Sequence, residues 1–205
     1  MKAELSTLLQ STSKVMIRQI KEWGEIVMGF ESANKYELLD DRGQRLAMMG
    51  EQSGGFMDVV KRQLLRAHRP MTVKVLDNQG QELLTLERPF FFMFSSLQIA
   101  SGGRKLGSVE RRWAFLHKRY ELLDAAGSVV AQIQAPIWKL WTFPILDAGG
   151  AQIGSIQKKW GGLFKEAFSD ADTFGVEFPS GSPELKAICL ACAISVDLDF
   201  FENRN

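Results

Sequence analysis

The sequence predicts a mainly β protein: a closed antiparallel barrel built around a buried C-terminal helix. Three observations lead there. A turn signature, Leu-Asp-x-x-Gly, occurs four times, starting at Leu39, Leu76, Leu123 and Leu146. Longer stretches of the chain also repeat. The last apolar segment, finally, has no polar face.

In the turn signature, Asp caps the start of a tight turn, and Gly three residues later takes positive φ without strain. Each copy lies between apolar, β-prone runs, so four copies predict four hairpins. The longer repeats point the same way. YELLD from Tyr36 recurs from Tyr120, each time after a basic residue, Lys35 or Arg119. GRKLGSVERRW (103–113) recurs as GAQIGSIQKKW (150–160). The two pairs differ in spacing, which argues for a duplicated hairpin array and against a solenoid. A closed barrel is the simplest way for many hairpins to remove their edges.

A helix is predicted to start at Ser182-Pro183-Glu184, with Pro at its first position. Leu185, Ile188, Cys189, Cys192 and Val196 fall on one face, and Ala187, Leu190, Ala191 and Ile194 cover the other. A helix apolar all round is either buried or in a membrane. The apolar run ends at Asp197 and Asp199, about half the ~20 residues a spanning helix needs. It is therefore placed through the middle of the barrel, where its alanines and cysteines suit a narrow lumen. A second, short helix is predicted over 162–168.

With 205 residues the chain suits one domain, 1–205, with 1–14 as a short N-terminal extension. Net charge is +1, so attraction to anionic lipid or nucleic acid must come from local patches. Cys189 and Cys192 are read as small core residues. Zinc needs four ligands, and His68 and His117 are distant in sequence. Two cysteines without a disulfide framework fit a reducing, cytoplasmic setting. The N-terminus carries no secretory signal, and no permanent transmembrane helix is expected. No Ser-His-Asp arrangement or phosphate loop stands out, so no covalent chemistry is expected.

Three groups of residues are candidates for surface recognition. Arg111-Arg112-Trp113 and Lys158-Lys159-Trp160 occupy equivalent places in the long repeat. Basic residues pair with headgroup phosphate and Trp favours the interfacial zone, though strand pleating would send neighbours to opposite faces. The alternative is a solvated outer face with Trp in the core. A further basic patch is Lys61, Arg62, Arg66, His68 and Arg69. The aromatic run Phe90-Phe91-Phe92-Met93-Phe94 would insert among lipid tails if it formed a loop. A barrel strand contacting the central helix is the preferred reading.

Four segments resemble the phospholipid scramblase family: GFESANKYEL (29–38), RPMTVKVLDNQGQELLTLERP (69–89), KKWGGLFKEAFSDADTFGVEFP (158–179) and the closing LKA…DFFE (185–202). The similarity runs from about residue 15 to residue 202. It implies a tubby-like fold, a barrel of about 12 strands around a central apolar helix. It also implies calcium-dependent, ATP-independent movement of phospholipid between leaflets at the cytosolic membrane face, with peripheral attachment to anionic phospholipid. The family's calcium loop falls on Asp170, Asp172, Phe174, Val176 and Phe178. Asp170 and Asp172 match its first two ligands, while Phe174 and Val176 offer only backbone oxygen. The final acid is replaced by Gly181, so a bound calcium is expected to be weak. The bland alternative is that the two aspartates cap and end the short helix.

The chain also departs from the family. With six prolines in 205 residues no proline-rich arm like that of many relatives is expected, and the stretch where relatives carry palmitoylated cysteines reads FFFMFSSLQ. Two rival functions remain: a lipid-binding adaptor without scrambling activity and, third, nucleic-acid binding through the basic patches.

Overall fold

Twelve antiparallel strands close on themselves in the computed structural model, each pairing with its sequence neighbours and β12 returning to β1. The structure describes residues 1–20, 35–52, 68–139, 141–158 and 173–200. Helix α1 (Ala3–Ser11) precedes β1 (Lys14–Ile20), β2 (Lys35–Leu39), β3 (Arg45–Glu51), β4 (Met71–Leu76), β5 (Glu82–Arg88) and β6 (Ser96–Ser101). Then come β7 (Arg104–Arg112), β8 (His117–Asp124), β9 (Val129–Pro136), β10 (Thr142–Leu146), β11 (Gln152–Lys158), β12 (Thr173–Glu177) and helix α2 (Pro183–Phe200).

The four Leu-Asp-x-x-Gly signatures make four hairpins of one design: β2–β3, β4–β5, β8–β9 and β10–β11. In each, the Asp carboxylate accepts two backbone N–H groups. Asp40 Oδ1 takes those of Arg42 and Gln44 at 2.9 and 2.7 Å, and Asp77, Asp124 and Asp147 repeat the pattern. The Gly is left-handed every time, with φ from 77 to 87°. Each hairpin also shifts its register just before the Asp.

Helix α2 runs through the lumen. Ser182 caps its start, its Oγ accepting from the Leu185 N–H at 3.2 Å. Ile188, Cys189, Cys192 and Val196 are buried, as are Ala187, Leu190, Ala191 and Ile194, and Leu185 is partly buried. The barrel wall meets the helix through inward residues such as Leu86, Ile99, Val109, Tyr120 and Phe174. Burial pushes the Cys189 thiol up to about 12 and also raises the Cys192 thiol well above its ordinary value, so neither forms a thiolate near neutral pH.

The N-terminal segment is more than an extension. It forms α1, whose Leu5 and Leu9 are buried against α2 at the end where α2 begins. Lys186 fastens it, donating to the Leu9 and Thr12 carbonyls at 2.8 and 2.7 Å. Two carbonyls at the end of α1 thereby accept from a charged donor. The helix predicted over 162–168 lies outside the described residues.

Up-and-down connectivity sorts the connections by end. All four Asp turns, the Gly102–Gly103 turn and α1 lie at one end. The β5–β6, β7–β8 and β9–β10 connections lie at the other, where α2 also ends. The outer wall carries ion pairs, among them Arg18–Glu37 (2.5 Å), Lys74–Glu82 (2.9 Å) and Arg112–Glu110 (2.6 Å). Such a wall does not suit contact with hydrocarbon around its girth. Among the described residues, no helix is long and apolar enough to cross a membrane.

Candidate functional site

The aromatic run forms the β5–β6 connection, not the barrel strand expected for it. It has no pleat to alternate its residues, so four large side chains point into solvent. Phe90, Phe92, Met93 and Phe94 are exposed, Phe92 to 83%. Phe91 turns the other way. It stacks on His68 with centroids 4.9 Å apart and lies 5.5 Å below the Arg88 guanidinium. His68 Nδ1 lies 3.0 Å from the Phe91 carbonyl and fixes the loop base.

Two further connections at the same end do the same. Trp113, Phe115 and Leu116 are exposed between β7 and β8, and Ile137, Trp138 and Trp141 between β9 and β10. Leu116 takes a positive φ of 58°, a conformation that costs a non-glycine residue about 1–2 kcal/mol. The Leu116 carbonyl accepts the Ile137 N–H at 3.1 Å and ties the two loops together. Of the eleven large apolar side chains exposed among the described residues, all but Val129 sit at this end. Together they make an aromatic rim.

Below the rim the wall turns charged on its inner side. Asp199, near the end of α2, accepts hydrogen bonds from the Tyr120 and Ser95 hydroxyls at 2.8 and 2.7 Å. Arg88 and Arg111 lie 4.0 and 3.9 Å from the same carboxylate. Asp197 accepts from the Tyr36 hydroxyl at 2.7 Å. Burial, then the Asp199 charge, raises the Tyr120 phenol well above its ordinary value. Arg69 makes a two-pronged ion pair with Glu51, both buried.

The two basic pairs are split by the pleat. Arg111 points inward, whereas Arg112 points outward and pairs with Glu110 and Glu121 at 2.6 and 2.7 Å. The Glu121 hydrogen bond raises the Arg112 pKa. Lys158, equivalent to Arg111 in the repeat, also points inward, its ammonium 5.1 Å from the Phe174 ring centre. Lys159 and Trp160 lie outside the described residues, as do Lys61, Arg62 and Arg66. So Arg111 and Lys158 do not form an exposed basic stripe on the outer wall.

Asp170 and Asp172 of the calcium loop also lie outside the described residues. Phe174 and Val176 belong to β12, which pairs with β1 on one side and β11 on the other. Their carbonyls are in a strand ladder there, and Phe178 is buried. Among the described residues no three His, Cys, Asp or Glu side chains gather as a metal site.

Sequence reasoning missed Trp138, Trp141 and Phe115, as well as the inward cations Arg88 and Lys118. The available signal was parity. Once the Asp turns occupy one end, every alternate connection must lie at the other.

The family model described as Scramblase matches residues 1–203. Phospholipid scramblase 1 of Rattus norvegicus is 31% identical, over 95% of this chain and 61% of its own length. Phospholipid scramblase 2 of Bos taurus is 31% identical over 95% of this chain and 70% of its own. Altered inheritance rate of mitochondria protein 25 of Saccharomyces cerevisiae is 28% identical, over 98% and 73% of the two chains. This chain thus spans less than two thirds of the rat protein. A protein of Arabidopsis thaliana of known X-ray structure shares the fold, with a TM-score of 0.52 and 11% identity over 94% of this chain and 98% of its own. The chain belongs to the Scramblase family.

Proposed function

We propose that this protein docks end-on to anionic phospholipid membranes through its aromatic rim and promotes movement of phospholipid between leaflets without ATP. One observation carries the reading: ten large apolar side chains, three of them Trp, collect at one end of an otherwise ion-paired barrel. Trp at such a rim matches the preference of its amphipathic ring for the membrane interface. Contiguous exposed apolar surface of this kind signals an interaction. The names of the relatives, phospholipid scramblases of rat and cattle, support phospholipid as the partner.

The lumen is filled by α2, so a headgroup has no polar path through the barrel axis. In this reading the rim acts as a wedge that disturbs one leaflet from the cytosolic face. Asp170 and Asp172 would supply the carboxylates of a weak calcium response.

The test is co-sedimentation with phospholipid vesicles, wild type against a triple Phe92→Ser, Trp113→Ser, Trp138→Ser variant. Removing a large apolar side chain from an apolar environment costs about 1.5 kcal/mol at the low end. The triple variant is therefore expected to bind on the order of a thousandfold more weakly. Binding unchanged by the three substitutions would overturn the docking. Scrambling is then read by dithionite quenching of fluorescent lipid, with and without calcium. Quenching that stops at half while binding persists would leave a lipid-binding module.

A further inference from the structure

One carboxylate at the end of the central helix reaches two of the rim connections at their bases. Asp199 lies in the last turn of α2, with 3% of its side chain exposed. Arg88 ends β5 and Ser95 stands just before β6, so these two residues bound the 89–94 stretch. The Ser95 hydroxyl donates to Asp199 at 2.7 Å, and Arg88 lies 4.0 Å from the same carboxylate. Arg111 and Tyr120 face each other across the β7–β8 ladder, below the 113–116 connection. Tyr120 donates to Asp199 at 2.8 Å, and Arg111 lies 3.9 Å away.

We infer that Asp199 is a positioning residue for membrane docking: from the end of the central helix it holds the β5–β6 and β7–β8 connections in one fixed arrangement, so that the aromatic rim meets the bilayer preformed. The inference rests on the docking reading above and adds what gives the docked surface its shape.

Helix chemistry supports it. The carbonyl end of a helix disfavours a negative charge, and a buried carboxylate is costly unless it is paired. Asp199 meets both penalties, and α2 has no basic residue in its last turn to relieve them. Its bonds to the wall account for a carboxylate in that place.

The seat of the carboxylate is fixed as well. Asp197 accepts from Tyr36 on β2 at 2.7 Å, and Tyr36 and Tyr120 are equivalent in the YELLD repeat. β2 and β8 lie six places apart in the ring of twelve, on opposite walls. Side chains two residues apart on a helix diverge by about 200°. The helix end is thus held between the two walls and cannot roll. The backbone passes the arrangement on around the rim. The Ser95 carbonyl accepts the Arg111 N–H at 2.9 Å, and the Leu116 carbonyl accepts that of Ile137. A surface ordered before contact loses less freedom on binding.

The test pairs a spectrum taken without lipid with a binding assay on the full chain. Cys189 and Cys192 are buried, so a nitroxide attached through Phe92→Cys reports the 89–94 stretch alone. Its spectrum in solution is expected to be that of a restrained label, and to sharpen when Ser95→Ala removes the hydroxyl. Binding to phosphatidylcholine vesicles containing phosphatidylserine is measured on unlabelled protein. Ser95→Ala and Tyr120→Phe are each expected to bind about tenfold more weakly, as for one large side chain that must be ordered on binding. Gly103→Ala, left-handed at φ 77° at the far end of the barrel, is expected to lose stability and keep its binding, which separates positioning from stability. A label equally restrained with and without the Ser95 hydroxyl would overturn the inference. Wild-type affinity in both Ser95→Ala and Tyr120→Phe, or an equal loss in Gly103→Ala, would do the same, and all three results leave docking intact. Failure of the unaltered protein to bind the vesicles would instead remove the docking reading, and the inference with it.

Discussion

Replacing Gly107 with alanine is expected to destabilise the protein by about 3 kcal/mol, the top of the usual range for overpacking. Gly107 lies on β7, where the wall meets α2. A Cβ there would stand 2.2 Å from the Leu123 carbonyl oxygen and 2.7 Å from Ile188 Cδ1. The first of these is backbone in the neighbouring strand, so relief means moving the β7–β8 ladder. The loss corresponds to a Tm lowered by about 6–12 °C for a chain of this size. Gly103 supplies the control. It is left-handed at φ 77°, and a Cβ there would meet nothing within 4 Å, so alanine incurs only the backbone cost of about 1–2 kcal/mol. Thermal melts of the two variants decide the matter. A Gly107→Ala protein as stable as Gly103→Ala would mean that wall and helix are not packed at this distance. The same logic explains the repeated Gly-Ser dipeptide, because a Cβ at Gly154 would stand 2.5 Å from the Glu177 carbonyl oxygen.

Asp199→Ala is expected to cost about 3 kcal/mol and to raise the preference for anionic vesicles. The buried Tyr120 hydroxyl and the buried Ser95 both donate to this carboxylate. A buried donor that loses its acceptor costs about 1–3 kcal/mol. The substitution also removes a negative charge within 4.0 Å of Arg88 and Arg111, leaving the mouth more positive. Asp199→Asn keeps an acceptor and is expected to lose about half as much stability. Chemical denaturation and the vesicle assay read the two effects on one preparation. A stable Asp199→Ala protein would contradict the hydrogen-bonded mouth.

Much of the architecture is legible in the sequence because its signals are local. Asp40, Asp77, Asp124 and Asp147 each dictate their own turn through one carboxylate and one Gly, whatever the rest of the chain does. The central helix is legible from composition, since the 187–196 segment has no polar face to offer solvent. Helix α1 is not, because nine residues with two core leucines four apart carry too little periodicity. The run 90–94 misleads for a related reason. Five consecutive apolar residues show neither helical nor strand alternation, and only the barrel's closure leaves them outside it.

The site is less legible than the fold because it is assembled from distant residues. Trp113, Trp138 and Phe92 become neighbours in a rim only through the parity of an up-and-down barrel. Which of Arg111 and Arg112 faces the lumen depends on strand register, which no short motif encodes. Arg88 sits in no basic cluster and Lys118 is flanked by His117 and Arg119, and only the pleat brings the two to the mouth beside Lys158.

Docking through the rim requires that the barrel meet lipid at one end while α2 stays enclosed. Photolabelling of vesicle-bound protein with a carbene probe confined to the lipid phase, followed by peptide mapping, tests it most directly. Label is expected in 89–95, 113–116 and 137–141 and none in 185–198. Label concentrated in 185–198, with the three loops unmodified, would contradict it.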